Sequence, residues 1–332
     1  MFQAKFKIPT YYPEFACKGG ECRHCCCQGW RVTLTQEEYF RLHSLDCSGP
    51  LKEKIDSYVG ILPHPSTEQY GRINMNYLGE CPLRREDGYC GLQVECGEEK
   101  IPSVCRYYPR APRLYPQPYC SISNSCEAVL ELLARKDYVF SFTEKELSFH
   151  FDDDENTRFH KDGEEKARLC FSILCADSLP LPERLKRLCL TFDGKLHDPK
   201  NDLFIVEKMK ETFLRSVSVG DYLAKMPENL PSFETVYVRL SQALAFDHAV
   251  TNILLNHLLY MHFPYVGNEK DIKEIGTFVY FLCYLWFLLL DSSAIDFTSF
   301  IDVTGDYFRL SEHSNFYQVL AFYLSKIGEK EE

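Results

Sequence analysis

The sequence predicts a mainly α protein, with a loop-rich, cysteine-cluster N-terminal domain that carries a small β element, followed by a helical C-terminal domain. Three observations predict this. Twelve of the sixteen cysteines fall within the first 126 residues. Pro102, Pro109, Pro112, Pro116 and Pro118 then interrupt regular structure over most of residues 102–118. Beyond them, segment after segment carries apolar residues at helical spacing. The domains are drawn at residues 1–135 and 136–332.

The first helix signal is Thr35-Gln-Glu-Glu38 ahead of Tyr39, Phe40 and Leu42. This is the spacing of a capping box, in which Thr35 bonds the N3 amide and Glu38 reaches back. Residues 70–79 alternate apolar and polar through Ile73, Met75 and Tyr77, and residues 89–94 are the expected hairpin partner. From Glu127 an apolar-periodic segment begins, and a charged stretch follows through residues 152–165. Residues 165–177, 182–190, 202–223, 232–261, 271–290 and 314–327 then have helical periodicity or length. Asp271-Ile-Lys-Glu274 reads as an N-terminal cap for the helix that holds the run Phe278 to Leu290.

The 332 residues are 45% hydrophobic, enough for one large core or two smaller ones. Residues 1–135 hold 16 basic and 16 acidic side chains and residues 136–332 hold 21 and 32, so the second part carries the whole net charge of -11. No cluster of Lys and Arg offers phosphates a footing, which argues against a nucleic-acid partner. Acidic runs such as Asp152-Asp153-Asp154-Glu155 read as solvated loop. Residues 1–16 have no uninterrupted apolar stretch of the secretory kind, so a cytoplasmic location is expected. The 13 residues from Phe278 to Leu290 are too few to span a bilayer. They read as a buried helix, with peripheral membrane contact as the alternative.

In a reducing compartment, clustered cysteines indicate metal ligation rather than a disulfide framework. The densest stretch puts Cys17, Cys22, Cys25, Cys26 and Cys27 beside Gly19, Gly20 and Gly29, whose backbone freedom allows sulfurs to converge. Thiolate ligation suits Zn2+ or an iron-sulfur cluster, and spacing does not separate the two. The pattern is neither a zinc ribbon nor the C-x3-C-x2-C run of radical S-adenosylmethionine enzymes, because Gly29 stands where the third cysteine would fall after Cys22 and Cys26. Cys170, Cys175, Cys189 and Cys283, isolated in helical patterns, read as buried reduced thiols.

Six motifs occur in one order: Cys17 with Cys22, Cys26-Cys27-Gln-Gly-Trp30, Cys81-Pro82, Cys90-Gly-Leu-Gln93, Cys105-Arg-Tyr-Tyr-Pro109-Arg110 and Ser125-Cys126. This order resembles the flagellin lysine-N-methylase (FliB) family. The helical part is similar more loosely, through residues 246–252 with Phe263-Pro264, and through residues 309–313. The resemblance implies S-adenosylmethionine as methyl donor, an oxygen-sensitive [4Fe-4S] cluster and surface lysines of flagellin as substrate. It also implies Cys17, Cys22, Cys26, Cys27, Cys81, Cys90, Cys105 and Cys126 as metal ligands. Eight thiols exceed the four of one cluster, so either half of them ligate it or a second metal site exists. Cys25, Cys47, Cys96 and Cys120 fall outside the pattern.

Methyl transfer by a polar route needs a neutral lysine amine, and hence a base. Glu312 and His313 are the candidates for that base. Arg110 is the candidate for binding a carboxylate or fixing the Cys105 loop through bidentate bonds. No G-x-G-x-x-G follows a strand, so the S-adenosylmethionine site stays unassigned. Two other classes compete with the enzyme: a non-catalytic metal-binding protein such as an electron carrier, and an interaction module whose zinc-stabilised head anchors a helical surface.

Overall fold

The computed structural model describes residues 2–29, 32–149, 162–192, 198–242, 246–265, 274–293 and 296–328. In chain order the first strands and helices are β1 (Phe2–Pro9), β2 (Val32–Leu34), α1 (Gln36–His43), α2 (Gly49–Tyr58), β3 (Val59–Ile61) and β4 (Gly71–Ile73). There follow α3 (Gly91–Cys96), α4 (Ser103–Tyr107), β5 (Arg110–Arg113), β6 (Tyr119–Ile122), α5 (Glu127–Leu133) and β7 (Phe142–Phe149). The rest is helical: α6 (Gly163–Leu174), α7 (Leu181–Phe192), α8 (Pro199–Phe213), α9 (Gly220–Lys225), α10 (Phe233–Ser241), α11 (Phe246–Tyr260), α12 (Ile275–Asp291), α13 (Phe297–His313) and α14 (Phe316–Gly328). The mainly α expectation is therefore met, and among the described residues the strands lie in the first half of the chain.

Two compact units result, one of Ala16–Arg110 and one of Met1–Phe15 with Ala111–Glu332. This division differs from a cut at residue 135. The reason is strand pairing: β1 runs parallel to β6 and antiparallel to β7, from Phe2 opposite Phe149 to Pro9 opposite Phe142. The sheet order β5-β6-β1-β7 thus ties the N-terminal strand to residues after 110. The alternation of Phe2, Ala4, Phe6 and Ile8 is the period-2 signal behind β1, and Phe6 and Ile8 are fully buried.

In the Ala16–Arg110 unit a three-stranded sheet of order β2-β4-β3 packs with α1 and α2 around Val32, Leu34, Leu42, Leu51, Ile55 and Leu83. The Thr35 capping box is present, with Thr35 Oγ1 accepting from the Glu38 amide and Glu38 accepting from the Thr35 amide. Glu38 also accepts from the Ser103 amide at 2.6 Å, so one buried carboxylate closes α1 and places α4. The expected hairpin over residues 70–94 does not form. β4 pairs instead with β2 and β3, and Cys90 caps α3, which turns Leu92 into the core. Proline spacing also understates order after residue 101. Pro102 starts α4, and Pro112 sits in β5 at the sheet edge, where a missing N–H is tolerated.

In the larger unit α12 is the central element, packed against α7, α8, α10 and α13. Every residue from Phe278 to Leu290 except Tyr280 is buried. Packing inside the unit consumes the apolar run, which leaves that segment no face for a membrane, and no described helix is long and apolar enough to cross one. The single helix expected over residues 202–223 breaks into α8 and α9. A Cβ on Gly220 would stand 2.6 Å from the Leu214 carbonyl, so the chain turns tightly where only glycine fits. α13, which is not among the helical segments read from the sequence, buries Thr304, Gly305, Asp306 and Ser311 beside its apolar residues; Thr304 accepts from the Trp286 indole at 3.0 Å. Cys170, Cys189 and Cys283 are buried as expected, whereas Cys175 is exposed where α6 ends.

Candidate functional site

The cysteine segments are held together by backbone contacts that glycine makes feasible. A Cβ on Gly20 would lie 2.5 Å from the Asp87 carbonyl and 2.7 Å from the Tyr89 ring, and one on Gly88 would lie 2.8 Å from the Gly20 carbonyl. Gly88 moreover has φ +85, a conformation that side chains with a Cβ rarely adopt. The loop of Cys17 and Cys22 is thereby pressed onto the turn that leads to Cys90. The Cys81 amide donates to the Cys27 carbonyl at 2.7 Å, and the Gln28 amide side chain donates to Glu80 at 2.7 Å. These bonds lay residues 27–28 beside residues 80–81.

Within this frame the thiols gather. Cys25 and Cys81 are buried, and Cys22, Cys26, Cys27, Cys90 and Cys105 are half-buried. Cys27, Cys81, Cys90 and Cys105 pack against the apolar core of their unit. The thiols of Cys26 and Cys27 bond to Cys25 and hold it well below the ordinary thiol range; the Cys27 amide adds a further bond at 3.1 Å. Burial pushes Cys81 up to about 11, and it raises Cys90 and Cys105 as well. Cys105 lies within electrostatic reach of Cys26, Cys81 and Cys90. Among the described residues no disulfide forms, and no group of three or more His, Cys, Asp or Glu stands where it could hold a metal ion. The donor set fits a thiophilic metal in chemistry, while the sulfurs are not closed on a common point.

Seven of the eight motif cysteines belong to the Ala16–Arg110 unit, and Cys126, the N-cap residue of α5, belongs to the other. Arg110 is half-buried at the end of the cysteine-rich unit. Trp30 of the second motif, the Asp152–Glu155 run and residues 271–273 of the expected cap lie outside the described residues.

Glu312 and His313 end α13 in a buried polar network of the larger unit. Oε2 of Glu312 accepts from Ser123 Oγ at 2.5 Å and from the Asn124 amide at 3.0 Å. Its Oε1 meets Nδ1 of His257 at 2.8 Å, and Nε2 of His257 lies 2.5 Å from the Tyr317 hydroxyl. A carboxylate only accepts, so His257 donates from Nδ1 to Glu312, and in that tautomer its Nε2 accepts a hydrogen bond from the Tyr317 hydroxyl. His313 Nε2 stands 2.9 Å from Ser125 Oγ. Burial lowers the His313 pKa; the neighbouring Glu312 carboxylate opposes that shift and Arg309 adds to it. Asn256 spans the floor, donating to the Ile122 carbonyl and to Asn124 while accepting from Tyr11 at 2.6 Å.

Sequence reasoning finds Glu312 and His313 and misses the rest of this network. Asn256 and His257, set in the apolar run from Ile253 to Leu259 of α11, are the available signal: polar residues in a buried stretch of helix must be paired within the protein. Chemically, the network fixes Glu312 away from solvent with its oxygens engaged, and burial disfavours the protonated form of His313.

The chain is similar to lysine-N-methylases. Two curated relatives bear that name, from Salmonella typhimurium and Salmonella choleraesuis, each 28% identical over 144 residues. The match covers 42% of this chain and 35% of each relative, so the chain spans about a third of their length. The flagellar biosynthetic protein FliU of Salmonella muenchen is 29% identical over 111 residues, 32% of this chain and 63% of that protein. These names agree with the resemblance carried by the cysteine motifs. No family profile matches the chain, and no solved structure does.

Proposed function

We propose that the protein is an S-adenosylmethionine-dependent protein lysine N-methyltransferase that acts in the cytoplasm on lysine side chains of flagellin. The observation that carries this reading is the similarity to proteins named lysine-N-methylase. The flagellar name of the third relative supports flagellin as the substrate.

The cysteine-rich unit would hold a [4Fe-4S] cluster, with ligands drawn from Cys17, Cys22, Cys26, Cys27, Cys81, Cys90 and Cys105. When bound, S-adenosylmethionine supplies an electrophilic methyl group on a sulfonium. The chain's own part begins with the proton, because a lysine amine near pKa 10.4 must lose it before attack. His313 is the candidate acceptor; burial leaves its imidazole unprotonated and at the same time makes it a weaker base than a free histidine. Glu312 acts as a positioning residue: it is fully buried, and it orients His257 and the Ser123 turn rather than meeting the amine itself. Arg110 is the candidate partner for a carboxylate.

Purification without oxygen, followed by metal and sulfide analysis and by transfer of labelled methyl from S-adenosylmethionine to flagellin, tests the reading. Iron and sulfide at about four each per chain together with labelled lysine would support it. Zinc alone, with no label transferred, would replace it with a zinc-stabilised non-catalytic protein.

A further inference from the structure

Cys25, Cys47, Cys96 and Cys120 stand outside the six motifs. Cys25 sits in the densest stretch of thiols, and Cys120 is fully buried. Cys47 and Cys96 differ from both. Each is half-buried, and each packs against the apolar core of the Ala16–Arg110 unit. Cys47 lies just ahead of α2, and Cys96 is the last residue of α3.

Two contacts set how these helices lie. Leu51, in the first turn of α2, faces the start of α3, its Cδ1 3.3 Å from where a Cβ on Gly91 would stand. About one helical turn back along α2 and one turn on along α3, the Ser48 amide donates to Glu95 Oε2 at 3.1 Å. The two segments therefore run in opposite directions, Leu51 beside Gly91 and Ser48 beside Glu95. The next step in that register sets Cys47 beside Cys96, and the two thiols lie within electrostatic reach of each other. Ser48 also caps α2, its Oγ accepting from the Leu51 amide at 3.4 Å, so the residue after Cys47 is held from two sides. Desolvation raises both thiols, and the Glu95 carboxylate adds to the rise at each. Both are therefore protonated at neutral pH, and neither is a lone reactive thiolate. What sets the pair apart is proximity.

We infer that Cys47 and Cys96 are the site of a reversible disulfide that braces the cysteine-rich unit when the surrounding glutathione pool turns oxidising. The co-reactant is glutathione disulfide. The thiolate of one cysteine attacks it, releases one glutathione and leaves a mixed disulfide; the second cysteine then displaces the other glutathione. One S–S bond forms in the protein and one breaks in the co-reactant, and the two electrons and two protons given up by the cysteines leave on two glutathione molecules. α3 carries Cys90 at its N-cap and Cys96 at its other end, so a bridge to Cys47 pins the whole of this short helix against the start of α2. The structure shows the dithiol state. The inference rests on no part of the methyl-transfer reading.

The test uses the full-length protein, purified without oxygen and equilibrated in glutathione buffers of falling thiol-to-disulfide ratio. Remaining thiols are blocked with iodoacetamide, and the digest is read by mass spectrometry. A linked pair of peptides holding Cys47 and Cys96 is expected, and it should revert to two blocked thiols when reduced glutathione is restored. In Cys47→Ser and in Cys96→Ser the remaining cysteine is expected to carry glutathione instead. The bridged protein should unfold several degrees above the reduced one, and Cys47→Ser given the same treatment should lose that gain. Both thiols blocked at every ratio, either one bridged to a different cysteine, or a glutathione adduct that persists on the unmutated protein would overturn the proposal. Equal unfolding temperatures of the bridged and reduced forms would overturn the bracing role. None of these readouts needs methyl transfer, so failure here and failure of the methylase reading are separable.

Discussion

His257 Nδ1 and Glu312 Oε1 meet at 2.8 Å with their side chains 1% and 0% exposed, and this pair joins the middle of α11 to the end of α13. Removing one partner strands the other in a dry interior. Glu312→Ala is expected to destabilise the protein by about 3 kcal/mol or more, and His257→Ala by a comparable amount. In a positioning role, Glu312→Gln keeps part of the bonding and loses less. Urea unfolding of the three variants checks the order. A Glu312→Ala protein as stable as the parent would show that the carboxylate is not held as described.

The second buried ionic cluster is structural throughout. Arg184, 2% exposed, donates to the Leu174 carbonyl at 2.6 Å, to Thr251 at 2.7 Å and to Asp247 at 3.2 Å, while Tyr237 donates to the same carboxylate. It ties α6, α7 and α11 together. Lysine has one donor group where the guanidinium forks, so Arg184→Lys is expected to cost about 2–4 kcal/mol without altering metal content. Thermal unfolding and metal analysis on one sample separate the two effects.

These clusters mark where sequence reasoning stops. The capping box of α1, the helical periods of α6, α7 and α12, and the apolar fate of residues 278–290 follow from local rules, and local rules suffice for them. The pairing of β1 with β7 joins residues more than a hundred apart, and no local signal records that. Likewise Glu312 stands out as a polar residue near a helix end, yet its partners Ser123, Asn124 and His257 come from distant segments. The cysteine motifs carry the composition of a metal centre. Which sulfurs approach one another depends on Gly20 and Gly88 letting two loops touch.

Acid should weaken the larger unit through His262. Its Nδ1 lies 2.6 Å from the Tyr119 hydroxyl, and burial first, then the Arg113 guanidinium, hold its pKa down to about 3; Tyr265 faces the ring edge-on. The unfolded chain binds a proton here as pH falls through about 6.5, and the folded chain does not until about 3. Between those values the unfolded state holds more protons, so stability falls on acidification by up to about 1.4 kcal/mol per pH unit. His313, also lowered by burial, adds in the same direction. Denaturation midpoints are expected to drop between pH 7.5 and 5.5. His262→Asn should flatten that dependence, because Asn does not titrate and accepts the positive φ of 60 found there. An equally steep profile in the variant would place the acid sensitivity elsewhere.

The close approach of Gly20 to Gly88 makes the most selective claim about the cysteine-rich unit. In Gly20→Ala the new methyl group would lie 2.5 Å from the Asp87 carbonyl and against the Tyr89 ring, so the 17–22 loop must lift from the turn before Cys90. Nothing in the core of Val32, Leu34, Ile55 and Leu83 depends on that loop, and the sheet order β2-β4-β3 should survive. The expected result is a folded protein whose iron or zinc content drops several-fold, with Cys17 and Cys22 labelled faster by a thiol reagent. Gly49→Ala is the matched control, because a Cβ at Gly49 meets nothing within 4 Å. Metal content equal in Gly20→Ala and Gly49→Ala would count against Cys17 and Cys22 as ligands of the proposed metal centre.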